Sequence, residues 1–352
     1  MKLVFINGRL IGPQYPPYII AEMSGNHNQS LEKAKNIVKL AAEAGVDAIK
    51  LQTYTADTMT FPGVWTVEDG SLWEKQELYD LYKKAYTPWE WHKEIFDYAK
   101  KLGITAFSSP FDESAVDFLE TLNVPAYKIA SFENSDIPLL KKVATTRKPV
   151  FLSTGVATIA TIDEAVQTLR DNGTTEIVLL KCTSTYPSSP EFSNIKTIPH
   201  LQQLFDVVVG ISDHTRGIGT SVGAVALGAS VIEKHFTDDR SLGGVDAAFS
   251  LEPQELSALV QESHQAFQSL GTVKYGVQEI EKQSFMYKRS LFCVQDLKKG
   301  DILSAENIRV LRPGLGLEPK FYDIALGKKV NKDIPKGTPL QWNHFLSDNE
   351  SS

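Results

Sequence analysis

The sequence predicts an α/β chain: a closed (β/α)8 barrel, the TIM-barrel architecture, followed by a small, mostly β module. Three observations predict it. Eight short apolar runs between residues 18 and 236 alternate with helix-patterned stretches; the 352 residues suit a barrel of about 250 residues plus an appendage; and the barrel period stops near Leu270, beyond which one short pattern occurs twice.

The runs are YIIAEMS (18–24), AIKLQT (48–53), TAFSS (105–109), AYKIAS (126–131), VFLST (150–154), IVLLKCT (177–183), VVVGIS (207–212) and VIEKHF (231–236). They are largely apolar, as parallel strands covered on both faces are. Between them, LEKAKNIVKLAAEAG (31–45), WEWHKEIFDYAKKLG (89–103), ESAVDFLETL (113–122) and IDEAVQTLRDNG (162–173) repeat apolar residues at helical spacing, several closing on Gly or Asn. Eight such units favour a closed barrel over an open doubly wound sheet. One connection is long. Between Gln52 and Trp89 it carries FPGVWTVEDGSLWEKQELYDLY, rich in aromatics and acids, which is either a functional loop or a structural decoration.

These periods divide the chain into a barrel domain at 1–270, a linker at 271–287 and a second unit at 288–352. Within that unit DLKKGDIL (296–303) and DIPKGTPL (333–340) share the pattern Asp-apolar-x-Lys-Gly-x-x-Leu on either side of RPGLGLEP (312–319). Short strands, Lys-Gly turns and this echo predict a compact β unit with pseudo-symmetry, too small to be more than marginal alone.

Hydrophobic residues at 42% and charged residues at 22% are ordinary for a soluble protein, and no apolar run approaches the ~20 residues of a membrane span. The net charge of −7 disfavours nucleic acid and anionic membranes as partners. Two distant cysteines, Cys182 and Cys293, form no framework, and the N-terminus lacks a signal-like apolar core. The expected location is cytoplasmic.

His214, after VVVGISD, and His235, within VIEKHF, close two successive strand runs, with a small-residue helix from Gly217 to Gly228 between them. Right-handed β-helix-β connection makes such strands neighbours, so both imidazoles fall on one rim, within reach of a single divalent metal. Reacting groups of a barrel sit at the strand C-terminal ends. Lys50 and Lys128 interrupt apolar strands there and call for counter-anions, while Ser109, Ser131, Ser153 and Ser212 add hydroxyls of the kind that hold a phosphate. Glu22 and Glu133 are the acid-base candidates, or else salt-bridge partners of those lysines. His27, in SGNHN, is either a further ligand or a polar loop residue, and His92, His200, His264 and His344 read as surface residues.

At IIAEMSGNHNQSLEKA, DAIKLQTY, FSSPFD, PAYKIASFE, LSTG, KCTSTYP, GISDHT and ALGASVIEKHF the chain resembles the sialic acid (nonulosonic acid) synthase family. The resemblance covers nearly the whole chain and implies condensation of phosphoenolpyruvate with an N-acetylated amino sugar. It implies a divalent ion on His214 and His235, manganese first, cobalt or magnesium as alternatives. Lys50, Lys128, Ser109, Ser131, Ser153 and Ser212, with Ser184 and Tyr186 nearby, would grip phosphoenolpyruvate; Glu22 would handle water; Gln52, Glu133 and Asp246 would hold the sugar. The module from Arg289 resembles the antifreeze-like (SAF, β-clip) domain of these synthases, which implies a domain-swapped homodimer with Arg289 reaching the partner's sugar.

Neuraminic acid synthases commonly carry Asn where this chain has Ser184. With SLWEKQELYDLY, TPWEWH, ASFE and LKCTSTYP, that places the resemblance nearer the pseudaminic acid branch, whose acceptor is 2,4-diacetamido-2,4,6-trideoxy-L-altrose. N-acetylneuraminate or legionaminate synthesis is the alternative within the family. Outside it stand a Schiff-base aldolase using Lys128 or Lys181 and a non-catalytic glycan-binding protein.

Overall fold

A computed structural model describes residues 2–68 and 70–345; residues 346–352 of the expected second unit lie outside it. Two compact units divide the chain, Met1–Gly271 and Thr272–Ser352.

The first unit opens with an antiparallel hairpin, β1 (Val4–Ile6) and β2 (Arg9–Ile11). Its Asn7 and Gly8 both have positive φ, 46° and 86°, as a tight two-residue hairpin turn requires. Eight parallel strands then close into a barrel: β3 (Tyr18–Glu22), β4 (Ala48–Thr53), β5 (Thr105–Pro110), β6 (Tyr127–Ile129), β7 (Val150–Ser153), β8 (Ile177–Cys182), β9 (Val208–Asp213) and β10 (Val231–His235), which pairs back onto β3. All eight expected strands are present. The intervening helices are α1 (Leu31–Glu43), α2 (Ala56–Met59), α3 (Leu78–Ala85), α4 (Trp89–Lys101), α5 (Glu113–Thr121), α6 (Ile137–Thr145), α7 (Ile159–Asp171), α8 (Thr197–Phe205), α9 (Gly219–Ala226) and α10 (Pro253–Leu270). Side-chain caps start several of them, Ser30 on Lys33 N, Asp112 on Ala115 N and Asp136 on Leu139 N. Helix α7 begins at Ile159 rather than at 162, because the Thr158 hydroxyl caps it and its first buried apolar residue comes a turn later.

Strand parity divides the core. Tyr18, Ile20, Phe107, Phe151, Leu180 and Val231 point into the barrel and cluster with Val4, Ile6 and Ile11, so the hairpin contributes to this inner core. The opposite parity, including Ile19, Ile49, Leu152, Ile211 and Ile232, packs with helix residues such as Ile37, Val143 and Leu259. His92 is fully buried, not superficial: its Nε2 meets Thr53 Oγ1 at 2.8 Å and its Nδ1 meets Pro88 O at 3.2 Å. His344 is buried as well. His92 lies on the inward face of α4 and His344 closes a short 3-10 helix, placements that residue type alone does not reveal.

In the second unit, β11 (Ser290–Cys293) pairs with β12 (Ile308–Leu311), and a short α11 (Tyr322–Ala325) follows. The two Lys-Gly repeats pair with each other. Leu297 and Ile334 exchange backbone hydrogen bonds of 2.9 and 2.8 Å; Asp333 accepts from Lys299 N and Asp296 accepts from Lys336 N, at 2.9 and 2.8 Å. Each repeat thus caps the turn of the other, as a two-fold relation between equal sequences demands.

Candidate active site

The inward parity that fills the barrel with apolar residues lower down brings Glu22, Lys50, Gln52, Ser109, Lys128, Ser153, Ser212, Glu233 and His235 to its C-terminal rim. Register sets them side by side, His235 beside Glu22, Glu22 beside Lys50, and Ser212 beside Glu233.

Lys50 forms an ion pair with Glu22 and donates to Ser109 Oγ at 3.1 Å; Glu22 Oε1 also accepts from Ser24 N at 3.0 Å and Gln52 Nε2 at 3.3 Å. Lys128 pairs at 3.4 Å with Glu233, not with Glu133, and Glu233 also accepts from Ser212 Oγ at 2.9 Å. Both lysines therefore have counter-charges within the protein. Glu233 stands near the end of the VIEKHF run, and its strand parity with His235 is the signal that marks it as a rim residue. Burial raises the protonation range of Glu22, with repulsion from Glu233 adding and attraction by Lys50 opposing. Burial works against the Glu233 carboxylate too, but Lys128 and Lys50 hold it below its ordinary range. An arriving anion would compete with the two carboxylates for these ammonium groups.

On the neighbouring rim the His214 and His235 rings lie 5.3 Å apart. His214 Nδ1 faces Thr183 O at 3.1 Å and Cys182 Sγ at 3.8 Å; His235 Nδ1 stands 3.7 Å from Asp246 Oδ2, which the Ser24 hydroxyl also contacts. Burial, then the neighbouring His214, pushes His235 well below its ordinary value, so it is a neutral imidazole with a free lone pair. Cys182, to which the sequence assigned no role, also touches Ser131 Oγ at 3.2 Å and Ser184 Oγ at 3.5 Å. Burial opposes its ionisation most, but His214 and the hydrogen bonds to Ser131 and Ser184 together bring the thiol down to about 6. Tyr186 lies against His214 with ring centroids 4.4 Å apart. Glu133, on the turn after β6, has its protonation range pushed up to about 7, chiefly by burial. Asn134 beside it donates to Ser153 O and Gly155 O at 3.2 and 2.9 Å, tying the ends of β6 and β7 together.

His27 stands apart from this rim. Its Nδ1 accepts from Gln29 N and its Nε2 meets Thr87 Oγ1, a loop-holding role. Arg289 is an exposed residue immediately before β11 in the second unit.

Among the described residues, Ser153 Oγ, Glu133 Oε2 and His235 Nδ1 are buried polar atoms without a hydrogen-bond partner, and all three belong to this rim. Native interiors rarely leave such groups unmatched, so the rim is built for a polar ligand. The NeuB family model matches residues 37–275, and the SAF domain model matches residues 288–346. The chain belongs to the NeuB family. Two relatives extend the family match over nearly the whole length: the pseudaminic acid synthase of Campylobacter jejuni subsp. jejuni serotype O:2 is 45% identical over 93% of this chain and 96% of its own, and that of Helicobacter pylori is 44% identical over 92% and 96%. The crystal structure of an N-acetylneuraminic acid (sialic acid) synthetase from Leptospira borgpetersenii, in complex with citrate, superposes with a TM-score of 0.73 at 32% identity, covering 81% of this chain and 96% of that one. No described helix is long and apolar enough to cross a membrane.

Proposed function

We propose that the chain is a pseudaminic acid synthase, condensing phosphoenolpyruvate with 2,4-diacetamido-2,4,6-trideoxy-L-altrose and water to give pseudaminic acid and phosphate. The observation that carries this reading is the buried cluster of Glu22, Lys50, Lys128 and Glu233 beside the two histidines, in a chain 45% identical to a pseudaminic acid synthase. In the reaction, carbon three of phosphoenolpyruvate bonds to the acceptor's aldehyde carbon, water adds at carbon two, and the bond from carbon two to the phosphate oxygen breaks. Lys50 and Lys128, with Ser109, Ser131, Ser153, Ser184 and Ser212, would hold the phosphate and carboxylate in a dry site where fixed charges act strongly. Glu22, with its raised protonation range, is suited to take a proton from the water as it adds. Gln52, Glu133 and Asp246 would position the acceptor, with Tyr186 beside the phosphoenolpyruvate site.

The donor set fits a divalent metal. His235 offers an unpartnered buried nitrogen, and a hydrogen bond from His214 Nδ1 to Thr183 O would leave its Nε2 free. Among the described residues no group of three His, Cys, Asp or Glu is placed to hold a metal, so the two imidazoles alone would be the chain's ligands to it. A bound Mn2+, or Co2+ or Mg2+, would supply Lewis acidity at the acceptor's aldehyde oxygen. We further propose a homodimer in which Arg289 serves the acceptor site of the other copy.

Phosphate release with phosphoenolpyruvate and three acceptors, N-acetylmannosamine, the diacetamido mannose and the diacetamido altrose, tests the reading. The altrose derivative should react fastest, chelator should stop turnover and Mn2+ restore it. Absence of release with every acceptor in the presence of Mn2+ overturns the reading. Restored activity on mixing Arg289→Ala with His214→Ala chains tests the shared site; no recovery despite subunit exchange refutes it.

A further inference from the structure

Beside the charged rim lies a cavity of about 550 Å3 that none of the residues assigned above lines. Its walls are Leu72, Trp73 and Leu81 from the long β4–α4 connection, Val245 from the loop after β10, and the amides of Asn28 and Gln76. Lys84 is its only charged lining group among the described residues. Such a wall suits a neutral ligand that presents both an amide and a methyl group.

Trp73 joins this cavity to the reacting centre. Its indole N–H donates to Val245 O at 2.9 Å, and its ring tilts against Tyr186 at 5.7 Å, while Tyr186 lies 4.4 Å from His214. The connection that carries Trp73 is a built element: Thr66 bridges Glu77, and Val67 exchanges backbone hydrogen bonds with Gln76 and Lys75. From the aldehyde of an open-chain acceptor to the methyl of an acetamido group on carbon four there are six bonds of about 1.5 Å, which in zigzag span roughly 7–8 Å. The ring-to-ring path from His214 past Tyr186 to the indole, 4.4 Å and then 5.7 Å between centroids, is somewhat longer, so the acetamido methyl would reach the near edge of the Trp73 ring.

We propose that this cavity receives the acetamido group on carbon four of the acceptor, so that Trp73 and its neighbours select acceptors acylated there over those with a hydroxyl. The assignment rests on the nonulosonic acid synthase reading. Asn28 Oδ1, its amino group donating to Gly243 O at 3.1 Å and Leu242 O at 3.4 Å, and the Gln76 amide match the acetamido N–H and carbonyl, and the indole and leucines cover its methyl. A hydroxyl in the same place would leave the apolar wall wet, and loss of the methyl contact alone discriminates by roughly 10–200-fold in a hydrophobic pocket.

The test compares kcat/KM for the diacetamido altrose with that for the same sugar bearing a hydroxyl on carbon four, in wild type and in Trp73→Ala, Trp73→Phe and Ala248→Trp. Ala248 is an exposed lining residue, so the tryptophan fills the cavity without disturbing the core. Trp73→Ala and Ala248→Trp should each reduce the preference for the acylated sugar about ten-fold or more. The change should come through the acceptor's KM and leave the KM for phosphoenolpyruvate within two-fold, estimated as about the effect of losing a contact to one substrate only. Trp73→Phe should keep most of the preference. An unchanged ratio in Ala248→Trp, or equal losses with both sugars, overturns the cavity assignment while the synthase reading stands. A wild type that consumes neither sugar with phosphoenolpyruvate overturns the synthase reading itself.

Discussion

Replacing Lys234 by Met should destabilise the barrel by about 3–5 kcal/mol, the usual cost of leaving a buried charge without its partner. Lys234 and Asp213 face outward from β10 and β9, both 1% exposed at the side chain, with Nζ 2.9 Å from Oδ2. Asp213 is otherwise saturated: it accepts from Thr215 N, Thr215 Oγ1 and Ser221 Oγ at 2.9, 2.8 and 2.6 Å. Burial disfavours its charge, but Lys234 leads the attractions that keep its carboxyl below its ordinary range. Lys234 Nζ also reaches Asp213 O at 3.4 Å and Thr215 O at 2.5 Å, the carbonyls on either side of His214. The pair thus fixes the backbone that carries both histidines. At roughly 2 °C per kcal/mol for a unit of this size, Lys234→Met should lower the melting temperature by about 6–10 °C. Asp213→Leu should cost as much, and the double variant, which buries no charge, should recover part of the loss. Calorimetric melting of the four proteins measures the coupling. A fall under about 2 °C in the single variants, or a double variant no better than their sum, would refute the reasoning.

Gly155→Ala should cripple phosphoenolpyruvate binding, because its new methyl would crowd Ser184 Oγ and lie 2.6 Å from Ser131 Oγ; a KM for phosphoenolpyruvate raised less than two-fold, against an expected rise of about ten-fold or more, contradicts the assigned anion site. Glu133 should make acceptor binding pH-dependent: with its range raised to about 7, the carboxylate fraction falls as pH drops through 7, so kcat/KM for the acceptor should fall with it. Glu133→Gln should abolish that inflection, and its persistence would exclude Glu133 as the source. Acid should destabilise the barrel through His27 and His92, which burial holds neutral, with protonation pushed down to about 4 from 6.5. Because the unfolded chain protonates first, stability present above pH 6.5 is lost as pH falls towards 4, about 2 kcal/mol for each histidine by pH 5. Melting curves at pH 7 and pH 5 for wild type and His92→Gln should show a smaller pH penalty in the variant.

By itself the sequence determined the barrel, because parallel strands covered on both faces must be apolar runs and helices covered on one face must carry a 3.6-residue period. It also placed His214 and His235 on one rim, since neighbouring β-helix-β units leave their strand ends together, and it revealed the two Lys-Gly repeats. Tertiary structure decided the partners. Lys128 faces Glu233 rather than Glu133 because strand register, not sequence distance, sets which carboxylate projects to the same height. The N-terminal hairpin passed unread although Asn7-Gly8 marks its turn, and only packing showed its apolar side chains joining the inner core. Cys182 looked like an isolated thiol until closure of the barrel brought Ser131, Ser184 and His214 around it. Trp73, in a connection without a clear period, gained a place beside Tyr186 only through the fold of that loop. Periodicity records which face of an element is buried; it does not record which side chains from different elements share the space they enclose.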